Sequence, residues 1–385
     1  MGLKAREYVQ TEKESFLLEL VDGKVGVIPY GIDMLDDIYI MGQKPTAPSI
    51  FVWQGAGGSR KTTSQLNLII AQQTCGTLPA SLKTNIYTLE SGISVEGYFL
   101  RLRLILAAKI MLYAYYYERN GRPASEYTGY LFDYQKGQDA KEYYNQITSY
   151  AIPRKRMVDY VREAMYVGSS GKEYPLFTIK TDYVEKMYNN LGVGFSLPQA
   201  SAWVCAGRLM EKWNIEVFGA SEHPDMAKAK LRSTNTVLER TLVDHWWQSV
   251  EEAAKAEEPY KVQLVFDYVQ AVMLENGISD HYAKQRQITP HIEAIVKESR
   301  ALFTVLAQEG STRQGQDEVY GASGGDILYN ASHQNWRVSY RKNEDIYSMI
   351  LHAALKSRRG HHPDLLLQIE PNSGLILPWA EEYVK

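Results

Sequence analysis

The residues Gly55, Ala56, Gly57, Gly58, Ser59, Arg60, Lys61, Thr62 and Thr63 (GAGGSRKTT) have the types and spacing needed to grip a polyphosphate. The P-loop, or Walker A, pattern runs G-x-x-x-x-G-K-[ST], and Gly55, Lys61 and Thr62 keep their places in it. Arg60 stands where the pattern wants glycine. Backbone N–H groups of such a turn converge on one point, and a helix leaving the turn adds positive potential there. Lys61 would contact the β- and γ-phosphates of ATP, and the Thr62 hydroxyl would ligate Mg2+. The alternative is a glycine-rich strand-to-helix turn built only for tight packing. Glycine before the lysine lets the backbone approach the phosphates, so an arginine there must point its side chain outward. Residue 60 opens a helix, and ordinary helical φ/ψ is expected to suit it. A second glycine-lysine run, GSSGK at 168–172, has the wrong spacing and is preceded by no clear strand.

The elements that must position this loop are legible as periodic apolar segments. A strand at 49–54 leads into it, and a helix leaves it from Lys61. A strand at 84–90 and a helix from about Val95 come next. Short apolar runs at 214–218, 262–267 and 302–308 read as buried strands, separated by helix-like segments at 226–256 and 288–300. That alternation predicts an α/β fold around a largely parallel sheet. The chain ends differently, with three closely spaced strands expected at 335–341, 347–356 and 364–370, antiparallel to one another. The expected organisation is an N-terminal linker helix at 1–24, a main domain of 25–104 and 206–385, and a mostly helical, tyrosine-rich insertion at 105–205.

The chain has 385 residues, 45% of them hydrophobic and 23% charged, as in ordinary globular proteins. A net charge of −3 excludes any argument from overall basicity, so nucleic-acid contact would need a local basic surface. The two cysteines, Cys75 and Cys205, form no metal-ligand or disulfide spacing. The polar N-terminus does not read as a signal peptide, and no apolar run reaches membrane-spanning length. A cytoplasmic protein with no membrane partner is expected. The tyrosines and Trp246-Trp247 are read as helix packing rather than as a stacking platform for bases.

Six further motifs carry a resemblance. IPYGIDMLDD at 28–37 resembles the I-P-T-G-x-x-x-L-D opening of RecA-fold ATPases, and the order of the later motifs is nearest to the DnaB-like hexameric replicative helicases. IYTLES at 86–91 is similar to that family's strand ending in S-L-E, which puts the water-activating role on Glu90; Arg101 matches the arginine on the next helix. LVFDYVQAV at 264–272 resembles I-D-Y-L-Q-L-I and places Asp267 near the magnesium. FTVLAQEGSTR at 303–313 resembles V-I-A-L-S-Q-L-N-R, so Gln308 would sense the γ-phosphate. GASGGDILYNASHQNWRV at 321–338 is similar to the D-L-R-E-S-G segment, with Gly321 and Ala322 where the family has polar and basic DNA contacts. ALKSRRG at 354–360 matches K-x-R-x-G, whose lysine and arginine reach a neighbouring subunit's nucleotide; the positions here are Lys356 and Arg358.

The resemblance covers about 25–100 and 210–375. Nothing resembles the family's N-terminal primase-binding domain, and the 105–205 segment is foreign to it. It implies a RecA-like P-loop ATPase core, assembled as a homo-oligomeric, hexameric ring that acts as a DNA helicase on single-stranded DNA among other replication proteins. The DNA would be gripped by channel loops 276–290 and 310–325 through Lys284, Arg286 and Arg313. Phosphoryl transfer to water needs positioning and charge neutralisation, with little covalent work from the protein. Read without the resemblance, Glu90 is a helix N-terminal acid, Asp267 a strand-end acid, and KSRRG a solvated hairpin turn. The alternative function is a RecA- or KaiC-like ATPase with a regulatory, recombination or structural role and no unwinding.

Overall fold

SIFVWQG is continuously apolar from Ile50 to Trp53 because it forms the strand Ser49–Gly55 (β1), which is covered on both faces. In the computed structural model, residues 49–74, 83–88, 94–119, 121, 165–167, 173–175, 197–219, 262–271, 281–299, 302–309, 326–341, 348–357, 365–370 and 373–377 are described. After β1 come α1 (Lys61–Thr74), β2 (Lys83–Thr88), α2 (Val95–Arg119), β3 (Met165–Val167), β4 (Glu173–Pro175), α3 (Leu197–Met210) and β5 (Ile215–Gly219). Next are β6 (Val262–Asp267), a 3-10 turn (Val269–Ala271), α4 (His281–Ser299), β7 (Leu302–Gln308) and α5 (Asp326–Ala331). The described chain closes with β8 (Gln334–Arg341), β9 (Ser348–Ser357), β10 (Leu365–Ile369) and β11 (Ile376–Leu377).

Nine strands form one sheet in the order β11-β10-β9-β8-β1-β7-β6-β2-β5. From β8 through β5 every neighbouring pair is parallel, whereas β8 to β11 pair antiparallel. The pleat sends alternate residues of β1 to opposite faces. Phe51 and Trp53 join a core with Leu66 and Ile69 of α1 and Leu102 and Ile105 of α2. Ile50 and Val52 join a second core with Ile288 and Ile292 of α4 and Leu328 of α5. The architecture is therefore an α/β sandwich around a mostly parallel sheet with an antiparallel extension. Among the described residues no helix is long and apolar enough to cross a membrane.

Three expectations need correction. The helix expected from 288 begins at His281 and runs through Pro290, which is exposed. Proline reads as a helix opener because its missing N–H is harmless in the first turn; tertiary packing of Ile288 and Ile292 carries the helix across it instead. The boundaries drawn at 105 and 205 fall inside α2 and α3, not between domains. Ile105–Ala108 and Ile110–Leu112 of α2 and Ala202, Trp203 and Ala206 of α3 belong to the same core as Phe51, because α3 packs back along α2. Arg103 fixes that pair, donating from Nη2 to the Trp203 carbonyl at 2.9 Å with its guanidinium 4.1 Å from the indole centre. Between these helices the described residues include a two-stranded hairpin, β3 with β4, and β3 (Met165–Val167) directly precedes the GSSGK run, before which no strand was expected. The expected helices at 1–24 and 226–256 and the IPYGIDMLDD segment lie outside the described residues.

Candidate nucleotide site

The strand register brings the motifs to one edge. Gly55 pairs with Gln308, Leu306 with Asp267, and Asp267 with Thr88, so β1, β7, β6 and β2 end side by side. In open α/β sheets this carboxyl edge is where ligands bind. The loop Gly55–Arg60 rises from β1 and hands directly to α1, whose N-terminus therefore faces the same edge. Gly55 is required by close approach: a Cβ there would lie 2.5 Å from the Val338 carbonyl oxygen of β8. The Lys61 ammonium curls over the loop, donating to Gly55 O at 2.8 Å, Ala56 O at 2.9 Å and Ser59 Oγ at 3.4 Å. A full positive charge thus sits at the centre of the loop, where a phosphate would be held.

Arg60 is not helical. Its φ is +73°, beside Gly58 at +75°, so the expectation of ordinary helical geometry is overturned. The reason lies in its neighbours: Arg60 caps α1, its carbonyl accepting the Ser64 N–H at 2.9 Å and the Ser64 hydroxyl at 3.1 Å. The loop must reverse into the helix at that residue, and the left-handed region does so. Its guanidinium turns away to lie 4.9 Å from the centre of the Tyr340 ring.

Thr62 and Asp267, 205 residues apart in sequence, meet here: the Thr62 hydroxyl donates to Asp267 Oδ2 at 2.8 Å. Asp267 is only 2% exposed. The Tyr98 hydroxyl of α2 donates to the same oxygen. The sequence motifs point to Arg101 of this helix, but Arg101 is exposed and it is the buried Tyr98 that reaches the carboxylate. Nothing in the local sequence marks Tyr98; only the crossing of α2 over β6 does.

Gln308 is held by a second residue to which the motifs assign no role. Gln270, in the 3-10 turn after Asp267, donates to Gln308 O at 3.1 Å and accepts the Gln308 N–H at 3.0 Å. The Gln308 amide nitrogen lies 3.3 Å from where a Cβ on Gly57 would be, so its side chain reaches the loop. Gln270 is the glutamine of the run DYVQ, three residues beyond the acidic strand end, and that position is its one signal in the sequence. Next along, the Glu309 N–H bonds Gly55 O at 2.9 Å, and its carboxylate pairs with Arg337 at 2.6 Å.

The other expected residues fall elsewhere. Lys356 is in β9, not in a turn, and its ammonium donates to the Tyr329 and Asn330 carbonyls at the end of α5, at 2.5 and 2.9 Å. Lys284 and Arg286 lie on α4 rather than in a channel loop; Arg286 is exposed. Glu90, Arg313 and Arg358 lie outside the described residues, as does the whole 310–325 segment.

A hydroxyl and a carboxylate at the mouth of a cationic loop are hard oxygen donors of the kind magnesium takes, and Mg2+ with phosphates needs only one or two of them from protein. Among the described residues there is no cluster of three or more metal-ligating side chains, so an all-protein cage is not present there. The residues fit a magnesium–nucleotide ligand.

No protein-family model matches the chain, and no curated protein matches it in sequence. Solved structures do match it in three dimensions. One is described as an ATPase domain, with a TM-score of 0.58 and 12% identity over 98% of this chain and 100% of that one. Another is a DnaB-like replicative helicase studied with its primase interactions, with a TM-score of 0.57 and 12% identity over 98% of this chain and 67% of that one. At this identity the likeness speaks to the fold, and the fold of this chain is the RecA-like α/β fold of DnaB-like replicative helicase ATPase domains.

Proposed function

We propose that the chain is a Mg-ATP-dependent, ring-forming DNA helicase or translocase of the DnaB-like type, acting on single-stranded DNA. The observation that carries this reading is the Thr62–Asp267 hydrogen bond, which joins the residue after Lys61 at the phosphate loop to the acidic end of β6. Lys61 and the loop amides would bind the phosphates. Thr62 and Asp267 would hold magnesium, whose charge offsets that of the triphosphate. Gln308, clamped by Gln270, would sense the γ-phosphate, and Glu90, just beyond β2 in the chain, would orient the attacking water. Arg358 would reach from one subunit to its neighbour's nucleotide, with Lys356 tying the end of β9 to α5. Lys284, Arg286 and Arg313 would contact DNA phosphates, giving binding that weakens steeply with salt and shows little sequence preference.

The test is ATP hydrolysis with and without single-stranded DNA, alongside the mass of the native protein in the same solutions. DNA-stimulated turnover by a ring supports the proposal. Basal turnover indifferent to DNA would replace it with the regulatory ATPase. One observation favours a third reading, a nucleotide-binding module with weak turnover: Arg60 stands in a left-handed conformation where glycine costs nothing. Binding without turnover would select it.

A further inference from the structure

The left-handed Arg60 is the one non-glycine residue among the described residues with positive φ, and it sits in the loop on which the proposed function rests. Side chains seldom adopt this region, and such strain persists only where the surroundings hold it in place. Strand β8 provides those surroundings. Val338 abuts the start of the loop, its carbonyl oxygen 2.5 Å from where a Cβ on Gly55 would lie. Tyr340, two residues on and therefore on the same face, abuts the end, its ring 4.9 Å from the Arg60 guanidinium. The ring is itself packed on the main core, so it offers Arg60 a fixed, partly desolvated π face.

We propose that Tyr340 is the positioning residue that makes an arginine tolerable in the phosphate loop: its ring holds the Arg60 guanidinium outside the loop while the Arg60 backbone stays left-handed. The contact offsets backbone strain that a glycine would not have. It also keeps a second cation away from the carbonyls of Gly55 and Ala56, which already accept from Lys61. The dependence is conditional. With arginine at 60 the ring is needed to keep the loop N–H groups convergent; with glycine at 60 it is not.

The experiment compares the native chain with Tyr340→Leu, Tyr340→Phe, Arg60→Gly and the Arg60→Gly/Tyr340→Leu double variant. Amide hydrogen exchange across 55–62 is measured without nucleotide, and affinity is measured with a fluorescent ATP analogue and magnesium. Tyr340→Leu should speed loop exchange and weaken nucleotide binding by about two- to fivefold, the scale of one exposed to half-buried cation–π contact. Tyr340→Phe should behave as native, since the ring face is kept. In the Arg60→Gly background Tyr340→Leu should change neither quantity. Equal losses in both backgrounds would overturn the proposal, because Tyr340 would then act only through core packing; no change in either background would overturn it too. The nucleotide arm rests on the function proposed above, but the exchange arm does not. Coupling seen by exchange in a protein that binds no ATP analogue would uphold the clip and sink the ATPase reading.

Discussion

The two halves of the sheet do different work at the same loop. The parallel half, β1-β7-β6-β2, ends in the groups that would touch a nucleotide: Lys61, Thr62, Asp267 and Gln308. Strand β8, parallel to β1, and the antiparallel extension β9-β10-β11 that it leads into contribute none of these, yet three contacts from this side hold the loop in shape. Val338 leaves room only for glycine at 55, Tyr340 faces Arg60, and the turn before β11 grips α1. In that grip Asn67 donates to Gly374 O at 2.9 Å and accepts the Ile376 N–H at 3.0 Å. Chemistry and buttressing are thus separated by position in the sheet: the groups of the site end β1, β7, β6 and β2 or follow them, and the braces come from β8, on the far side of β1, and from the extension beyond it. A parallel edge gathers helix N-termini and strand ends, while an antiparallel extension can return repeatedly to brace them without crossover helices.

If this division holds, variants of the parallel edge should alter turnover far more than stability. Lys61→Ala removes the central cation, and a loss on the order of 10²–10³ in turnover is expected, with the thermal midpoint little changed. A variant that binds and hydrolyses ATP normally would show that the edge is not the site. Gly55→Ala should do the reverse in kind: the added methyl meets backbone, so a destabilisation of about 1–3 kcal/mol should appear in denaturant unfolding together with weaker nucleotide binding. Unaltered unfolding would mean that β8 does not brace the loop. Asn67→Ala leaves the Ile376 N–H without its acceptor, which costs about 1–2 kcal/mol of stability and should loosen the end of α1 in hydrogen exchange. Arg60→Gly should be milder still, with nucleotide affinity within about tenfold, or 1.4 kcal/mol.

Cys205 supplies a control remote from both halves' loop contacts. Burial in the packing of α3 pushes its thiol up to about 11, against a smaller opposing influence of Arg208. Alkylation at neutral pH should be slow and rise roughly tenfold per pH unit until that value is neared, because the thiolate is the reactive form. Any of the variants above that speeds this labelling has disturbed the whole α2–α3 cover, and its effect on the loop would not be local.

Much of the parallel half was legible in the linear chain. Fully buried strands must be continuous apolar runs, and a glycine-rich turn before a lysine is a local feature, so β1, β6 and β7 and the loop could be read almost residue by residue. Asp267 and Gln308 close such runs, but their roles came from the resemblance rather than from the runs themselves. Glu90, Arg313 and Arg358 were named from resemblance, and the described residues do not include them. What only tertiary structure decided concerns residues whose partners are remote in sequence. Tyr98 is one tyrosine among 28 until α2 brings it over Asp267. Asn67 is a polar helix residue until the chain's last strand arrives beside it. Arg60 was expected to be helical because propensity is judged from neighbours along the chain. Its left-handed backbone and its lean on Tyr340 depend instead on where β8 passes, and no local pattern encodes the position of a strand that pairs from the far end of the chain.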